Sequence, residues 1–321
     1  MEKRRFLSAL VLIILGGMLH YQLASAQKVR IAPCVKSNPS YNLPFFAAEE
    51  RDLWKKNGIE AEWIAIKGGS AMARAFASRA LDMGICGPLG GIRAISRGVP
   101  MLIIADFQSP QDVYVWVLTG SPIKKPMDLK GTKIGQTRLG GTFHAYGIWV
   151  AKALGLEKDI KFVGAGGSVA MQAGLQSGIY DAIVSSFYSS AAPLKFSGRG
   201  RPVLRVQDYL PKEWMNLAVF SRRDFADKKP DQVRGALKGL FEAAAFVMKN
   251  ADWSVQIFKK HFGYPEKGAR QVHRDTLRYG RRPTITRKAV ENARNFLIEA
   301  GLIPKKKAPP LDKLYTTRFV R

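Results

Sequence analysis

Short apolar runs alternate with segments of helical periodicity from Lys28 onward. The runs are brief and rich in β-branched residues, as in buried strands, while the segments between them repeat apolar residues every three or four positions. The first series predicts strands at Val29–Val35, Ile59–Ile66, Leu81–Cys86 and Pro100–Asp106, with helices at Pro44–Asn57, at Ser70–Arg79 and up to Arg97. This alternation predicts an α/β fold with a parallel sheet between two layers of helices.

A second α/β series begins after a proline-containing break at residues 121–130. It predicts strands at Thr132–Gln136, Ile160–Val163, Asp181–Ser185 and Pro202–Val206, and helices at Thr142–Leu154 and Ser168–Ser177. Beyond Pro230 the pattern predicts helices alone, at Asp231–Asn250, Asp252–His261, Glu266–Tyr279 and Thr286–Ala300. Because these helices lack a sheet of their own, we expect them to pack on the first lobe. The chain then crosses between two lobes near Val113–Thr119 and Leu217–Ser221.

The first 26 residues are typical of a secretory signal. A basic start at residues 3–5 precedes an uncharged apolar stretch, and Ala24-Ser25-Ala26 offers the small residues that a signal peptidase reads. The apolar stretch is shorter than the roughly 20 residues of a membrane-spanning helix. We therefore predict export after cleavage of residues 1–26, and the absence of a cysteine at the cleavage site argues against a lipid anchor.

The chain is strongly basic, with a net charge of +26 that becomes +24 without the signal. A field of this size attracts anions, but no basic segment interleaved with aromatic residues points to nucleic acid. Cys34 and Cys86 lie in predicted strands of the same lobe. An exported protein may join them, yet two cysteines are not a disulfide framework, and two buried thiols are the simpler expectation.

Small and polar residues follow six predicted strands at the same end. In open α/β sheets ligands bind beyond the carboxyl ends of the strands, where helix N-termini favour anions. The candidate ligand-binding residues there are Ser37, Asn38, Tyr41, Gly69, Ser70, Gly87 and Pro88 in the first lobe, and Arg138, Gly141, Thr142, Phe143, His144, Ser185, Ser186 and Phe187 in the second. Trp214, before the second crossing, lines the cleft or seals a lobe.

Each candidate also has a purely structural interpretation. Ordinary helix capping explains a hydroxyl residue before a helix, and Phe187 and Tyr188 could belong to the core. Arg138 is the first candidate for a charged contact and Lys67 a weaker one, but a loop arginine is commonly only solvated. His144 could contact a ligand from a helix N-terminus or have no ligand role.

Signatures of catalysis are missing from the sequence. There is no Gly-x-Ser-x-Gly elbow, no His-Glu-x-x-His pair and no cysteine pair at zinc spacing. Lys130-Gly131-Thr132 has its lysine on the wrong side of the glycine for a phosphate loop. We therefore predict no catalytic residues, no metal and no cofactor, and a protein that is not an enzyme.

The order of several short motifs resembles periplasmic substrate-binding proteins of the nitrate, sulfonate, taurine and thiamine-precursor type. The motifs are Pro44–Glu49, Leu53–Ile59, Gly68-Gly69-Ser70, Leu81–Gly84, Gly98-Val99-Pro100, Asp128–Gly135 and Gly178–Ala182. The resemblance implies a type II periplasmic binding protein fold, in which two α/β lobes joined by a two-strand hinge close on a solute. It further implies a periplasmic location and delivery to the inner-membrane permease of an ATP-driven (ABC-type) importer.

These inferences give a domain plan and a function. We expect a signal peptide at 1–26, a first lobe at 27–114 and 219–321, and a second lobe at 115–218. The predicted function is capture of a small anionic organic solute, such as a sulfonate, a carboxylate or a nitrate-like ion, by a monomer that does not bind nucleic acid. A neutral pyrimidine of the thiamine-precursor kind, ligand sensing for a membrane receptor, and an enzyme on the same fold are the alternatives.

Overall fold

The computed structural model describes residues 28–35, 39–64, 66, 68–108, 113–187 and 191–320. The predicted signal peptide, Ser37, Asn38, Lys67 and Tyr188 lie outside these ranges. The strands are β1 Val29–Pro33, β2 Ala61–Trp63, β3 Met83–Cys86, β4 Met101–Gln108, β5 Val113–Leu118, β6 Lys133–Gln136, β7 Lys161–Gly164, β8 Ala182–Ser186, β9 Gly200–Arg205, β10 Leu217–Arg222 and β11 Tyr279–Thr284. The α-helices are α1 Pro39–Glu50, α2 Leu53–Lys56, α3 Gly69–Ala77, α4 Pro88–Ile95, α5 Thr142–Ala153, α6 Ser168–Gln176, α7 Ala191–Phe196, α8 Arg223–Lys228, α9 Pro230–Lys249, α10 Ala251–Phe262, α11 Glu266–Thr276 and α12 Arg287–Glu299.

Two separate sheets organise the described residues. The first has the strand order β11-β4-β10-β3-β1-β2, and the second has the order β7-β6-β8-β5-β9. The chain passes from the first sheet to the second between Gln108 and Val113, and returns between Arg205 and Leu217. We retain the lobe boundaries at 114/115 and 218/219 as a proposal.

The sheets are mixed, so the prediction of purely parallel sheets was wrong. In the first sheet β10 runs antiparallel to β3 and β4, and in the second β5 runs antiparallel to β8 and β9. The first connection lies just before the segment near which it was predicted, and Val113–Leu118 of that segment forms β5 of the second sheet. β5 and β10, the strands that follow the two connections between the sheets, each run antiparallel to both neighbours. Local periodicity in the sequence does not encode strand direction.

The C-terminal region adds a strand to the first sheet, which corrects the prediction of helices alone. The helix predicted to reach Tyr279 ends at Thr276, and β11 then pairs antiparallel with the end of β4. Helix α9 packs against β11 and α12 packs against α4, with residues such as Leu240 and Phe296 inaccessible to solvent. The last helices therefore have no sheet of their own, as expected, and the error concerns only the added strand β11.

Pro44 does not begin a helix. The helix starts at Pro39 and Pro44 lies inside it, while Leu53–Lys56 forms a separate turn. A proline at this place cannot donate a backbone hydrogen bond to the carbonyl of Ser40, four residues earlier. The Tyr279 hydroxyl donates to that Ser40 carbonyl oxygen at 2.6 Å, which helps to explain why the interior proline is tolerated.

Candidate ligand-binding cleft

A disulfide joins the carboxyl ends of two neighbouring strands in the first sheet. Cys34 directly follows β1, Cys86 ends β3, and their Cα atoms are 5.3 Å apart. The expectation of two buried thiols was therefore wrong: β1 and β3 are adjacent parallel strands, and that adjacency brings the two cysteines together. A Cβ atom on Gly69 would lie 3.3 Å from the Cys86 sulfur, so the disulfide also lies against the start of α3.

Four helices begin at the carboxyl ends of strands, and each has a glycine at its N-cap. These glycines are Gly68 before α3, Gly87 before α4, Gly141 before α5 and Gly167 before α6. The helix predicted to start at Ser70 begins at Gly69 with Gly68 as its N-cap, so Ser70 does not cap it and is exposed in its first turn. A glycine has no side chain to accept the first N–H groups of a helix, which leaves those donors for another acceptor.

The two sheets bring their helix starts into contact across the cleft. A Cβ atom on Gly87 would lie 3.1 Å from the hydroxyl oxygen of Thr142, the first residue of α5. Gly87 and Pro88 are buried, and Thr142 and Phe143 are half-buried. The structure thus brings together the predicted residues Gly69, Gly87, Pro88, Gly141 and Thr142 on facing edges.

Arg93 makes a second contact across the cleft and was missed by the sequence analysis. Its guanidinium lies against Gly140, where a Cβ atom would be 2.6 Å from Nη1. The backbone N–H of Gly140 donates to Nδ1 of His144 at 2.8 Å. Burial, followed by the positive charge of Arg93, lowers the pKa of His144. The predicted charged contact, Arg138, is exposed in the same loop.

The predicted residues of β8 are more deeply buried than a loop position implies. Ser185 and Ser186 are inaccessible to solvent within the strand, and the Ser185 hydroxyl donates to the Ser186 carbonyl oxygen at 3.1 Å. Phe187 is 8 % exposed and packs against Trp116 and Phe196. Phe196 in turn fills the space beside Gly268 of α11, a further contact between the parts built on the two sheets.

Trp214 seals the second connection between the sheets. It is 6 % exposed, and its indole N–H donates to the Tyr146 hydroxyl at 3.1 Å. Phe296 of α12 lies 5.1 Å from Trp214 and stacks on Trp149 of α5 at 4.4 Å, measured between ring centroids. Tyr41 is likewise buried, within α1. Trp214 therefore occupies the joint between α5, α12 and the second connection.

Asn216 was also missed, although its position is informative. It is 1 % exposed and directly precedes β10, whose first residue pairs with Gln108 at the cleft edge. Within the described ranges its side-chain oxygen has no hydrogen-bond partner. A buried polar atom usually has a partner, so this amide is suited to meet a donor on a ligand. No periodicity or capping signal in the sequence marks it.

Two surface cavities lie away from this cleft. One, of about 310 Å³, is lined by Ser96, Arg97 and residues 302–304 and 307. The other, of about 430 Å³, is lined by residues 118–120, Gln176, Gly198 and Arg199. The first lies at the C-terminal end of α4, and the second lies at the C-terminal ends of β5 and α6, away from the glycine-capped helix starts. We therefore assign the candidate site from the helix starts and not from these cavities.

Other classes of site find little support in the described ranges. No group of three or more His, Cys, Asp or Glu side chains there is placed to hold a metal ion. None of the helices in those ranges combines the length and the apolar character that a membrane crossing requires.

Comparison with solved structures confirms the predicted type II periplasmic binding protein fold. The aliphatic sulphonate binding protein SsuA from Escherichia coli superposes with a TM-score of 0.77 at 20% identity, covering 91% of this chain and 93% of that one. The nitrate-binding protein NrtA from Synechocystis PCC 6803 gives a TM-score of 0.73 at 16% identity, covering 91% and 86%. These identities support a shared fold and do not transfer a ligand.

Sequence comparison adds an enzyme to these relatives. The 4-amino-5-hydroxymethyl-2-methylpyrimidine phosphate synthase of Schizosaccharomyces pombe is 22% identical over 246 residues, which cover 73% of this chain and 69% of the synthase. The model of the family described as NMT1/THI5 like matches residues 39–253, about two thirds of the sequence. The chain therefore belongs to the NMT1/THI5-like family.

Proposed function

We propose that the protein captures a small anionic organic solute in the cleft and delivers it, in the periplasm, to the permease of an ATP-driven importer. The observation that carries this proposal is the set of four glycine-capped helix starts at the facing edges of the two sheets. Uncapped N–H groups and helix dipoles favour negative charge. The sulphonate- and nitrate-binding proteins of the same fold support an anion of this kind.

Binding follows from closure of the cleft on the ligand. Contacts that a ligand makes with both sheets exist only when Gly87 and Thr142 are close, so the ligand favours the closed form. The N–H groups of α3, α4 and α5 and the Thr142 hydroxyl would hold the anionic group, and the Asn216 side-chain oxygen would accept from a donor elsewhere on the solute. Ser37, Asn38, Ser70 and Ser185 remain predicted contacts.

A neutral pyrimidine is the second candidate ligand. The name of the S. pombe relative contains a hydroxymethyl-methylpyrimidine, and the half-buried ring of Phe143 beside Thr142 offers an aromatic surface to such a heterocycle. Because this relative is named as a synthase, an enzymatic role also requires a test. Turnover of a bound pyrimidine that His144→Ala abolishes would favour an enzyme over a binding protein.

The test combines a ligand screen with a variant, Gly87→Leu, whose added side chain would keep the two helix starts apart. Thermal shift and calorimetry of residues 27–321 would compare MOPS, nitrate, small dicarboxylates, and the hydroxymethylpyrimidine with its phosphate. A ligand that binds only the folded state raises the melting temperature. Gly87→Leu places a side chain against Thr142 and should abolish binding. Gly90→Leu, in the same helix with no atom within 4 Å of its Cβ position, should not. No shift with any probe, or equal effects of the two variants, would refute capture by closure.

A further inference from the structure

The outermost strand of the first sheet carries an exposed arginine pair close to the cleft edge. Tyr279 pairs with Gln108 and Thr284 pairs with Asp106, so residues 280–283 of β11 bulge outward opposite a single residue of β4. Arg281 and Arg282 lie in this bulge and both are exposed. Within the described ranges neither one forms a salt bridge.

The register of the sheet gives the distance from this bulge to the cleft. Cys86, Ala218, Asp106 and Thr284 lie in one row across four neighbouring strands. Three strand spacings of about 4.8 Å place Thr284 roughly 14 Å from Cys86. The Tyr279 hydroxyl also bonds to the Ser40 carbonyl, which ties the start of β11 to the helix that follows β1.

Charges of one sign dominate around the bulge. Arg278 and Arg287 flank β11 and are exposed, and Arg274 forms an ion pair with Asp275 at 2.8 Å. The carboxylates near the bulge are Asp106 of β4, paired opposite Thr284, and Glu213 on the second connection, which accepts a hydrogen bond from Thr286. Exposed like charges near a ligand entrance raise the local concentration of counter-ions and the rate of association.

We propose that Arg281 and Arg282 form an electrostatic entrance that steers anionic solutes into the cleft. This inference rests on the proposed function and adds a kinetic role for β11. The Debye length is about 30 Å at 10 mM ionic strength and about 8 Å at 150 mM. Because the strand that carries them lies roughly 14 Å from Cys86, the arginine pair acts strongly on an anion near the cleft edge in dilute salt and weakly at physiological salt. Direct contact with the bound solute is not required.

The test measures association rates for two variants with the same change in net charge. Arg281→Gln/Arg282→Gln removes the bulge charges. Lys306→Gln/Lys307→Gln removes two exposed charges near Ser96 and Arg97, at the C-terminal end of α4. Stopped-flow tryptophan fluorescence would follow MOPS and the phosphorylated hydroxymethylpyrimidine, with the neutral hydroxymethylpyrimidine as the uncharged probe.

We expect the arginine variant to lower the association rate of the anionic probes about three- to tenfold at 10 mM ionic strength. The difference should vanish near 500 mM salt, and the dissociation rate should stay constant. The lysine variant should change association less than about twofold, and the neutral probe should respond to neither variant. Equal effects of the two variants, or an effect on dissociation alone, would overturn the entrance and leave solute capture intact. Failure of every anionic probe to bind the unmodified protein would overturn both proposals.

Discussion

The hydroxyl of Tyr279 in β11 donates to the carbonyl oxygen of Ser40 in α1 at 2.6 Å. Pro44 explains why this bond matters, because its ring nitrogen has no hydrogen to offer the same carbonyl. Burial raises the pKa of Tyr279 well above its ordinary value, so the phenol stays protonated and able to donate.

Tyr279→Phe should lower the free energy of unfolding by about 1–2 kcal/mol, since it removes the phenol donor from a buried carbonyl. Denaturant unfolding would measure the loss. Pro44→Ala restores a backbone N–H four residues after Ser40, so the phenylalanine substitution should cost less in that background. An equal cost in both backgrounds would contradict the explanation.

Gly140→Ala tests the contact between the loop before α5 and Arg93. Gly140 has a φ of +75°, where an alanine costs about 1–2 kcal/mol, and its new methyl group would also collide with the Arg93 guanidinium. Gly178→Ala is a matched control, because Gly178 has a φ of +74° and no atom within 4 Å of its Cβ position.

Both glycine variants should lose similar stability in thermal unfolding. Only Gly140→Ala should also weaken ligand binding, by up to about tenfold for a cost of up to about 1.4 kcal/mol in closure, because the Arg93 guanidinium must shift to admit the methyl group. Calorimetry with whichever probe binds the unmodified protein would measure this. Equal affinities of the two variants would show that the Arg93 contact is not part of closure.

Much of the cleft can be predicted from the sequence, because a glycine between a predicted strand and a predicted helix is recognisable from its immediate neighbours. Gly69, Gly87, Gly141 and Thr142 were found in this way. Arg93 was not, because it lies in the second turn of α4 and meets Gly140 only when the two halves fold together. β11 was missed for a similar reason: Arg281, Arg282 and Pro283 lack strand character, and only the pairing of the flanking Tyr279 and Thr284 with β4 forms the strand.

The disulfide shows the same dependence on topology. Its cysteines are separated by 52 positions, and only the adjacency of β1 and β3 joins them. Closing a loop of this length is worth about 4 kcal/mol in the chain-entropy estimate. Cys34→Ser/Cys86→Ser should therefore lower the free energy of unfolding by roughly this amount. A reducing agent should reproduce the loss in the unmodified protein and have no effect on the double variant; a further loss there would contradict the assignment.

His144 should make ligand binding sensitive to acid. Its Nδ1 accepts from the Gly140 N–H, which requires a neutral ring, and burial beside Arg93 lowers its pKa in the closed form. That pKa lies below the ordinary value of about 6.5. The hydrogen bond from Gly140 therefore stabilises the closed form above this pH, and this stabilisation is lost as the pH falls below it. Each pKa unit between the open and closed forms corresponds to about 1.4 kcal/mol, or tenfold in affinity at acid pH.

His144→Asn keeps an acceptor that does not titrate, and should flatten the dependence of affinity between pH 7.5 and 5.5. His273→Asn, whose ring contacts the Val247 carbonyl away from the cleft, should leave the dependence unchanged. If His144→Asn retains the full loss of affinity in acid, another group controls closure.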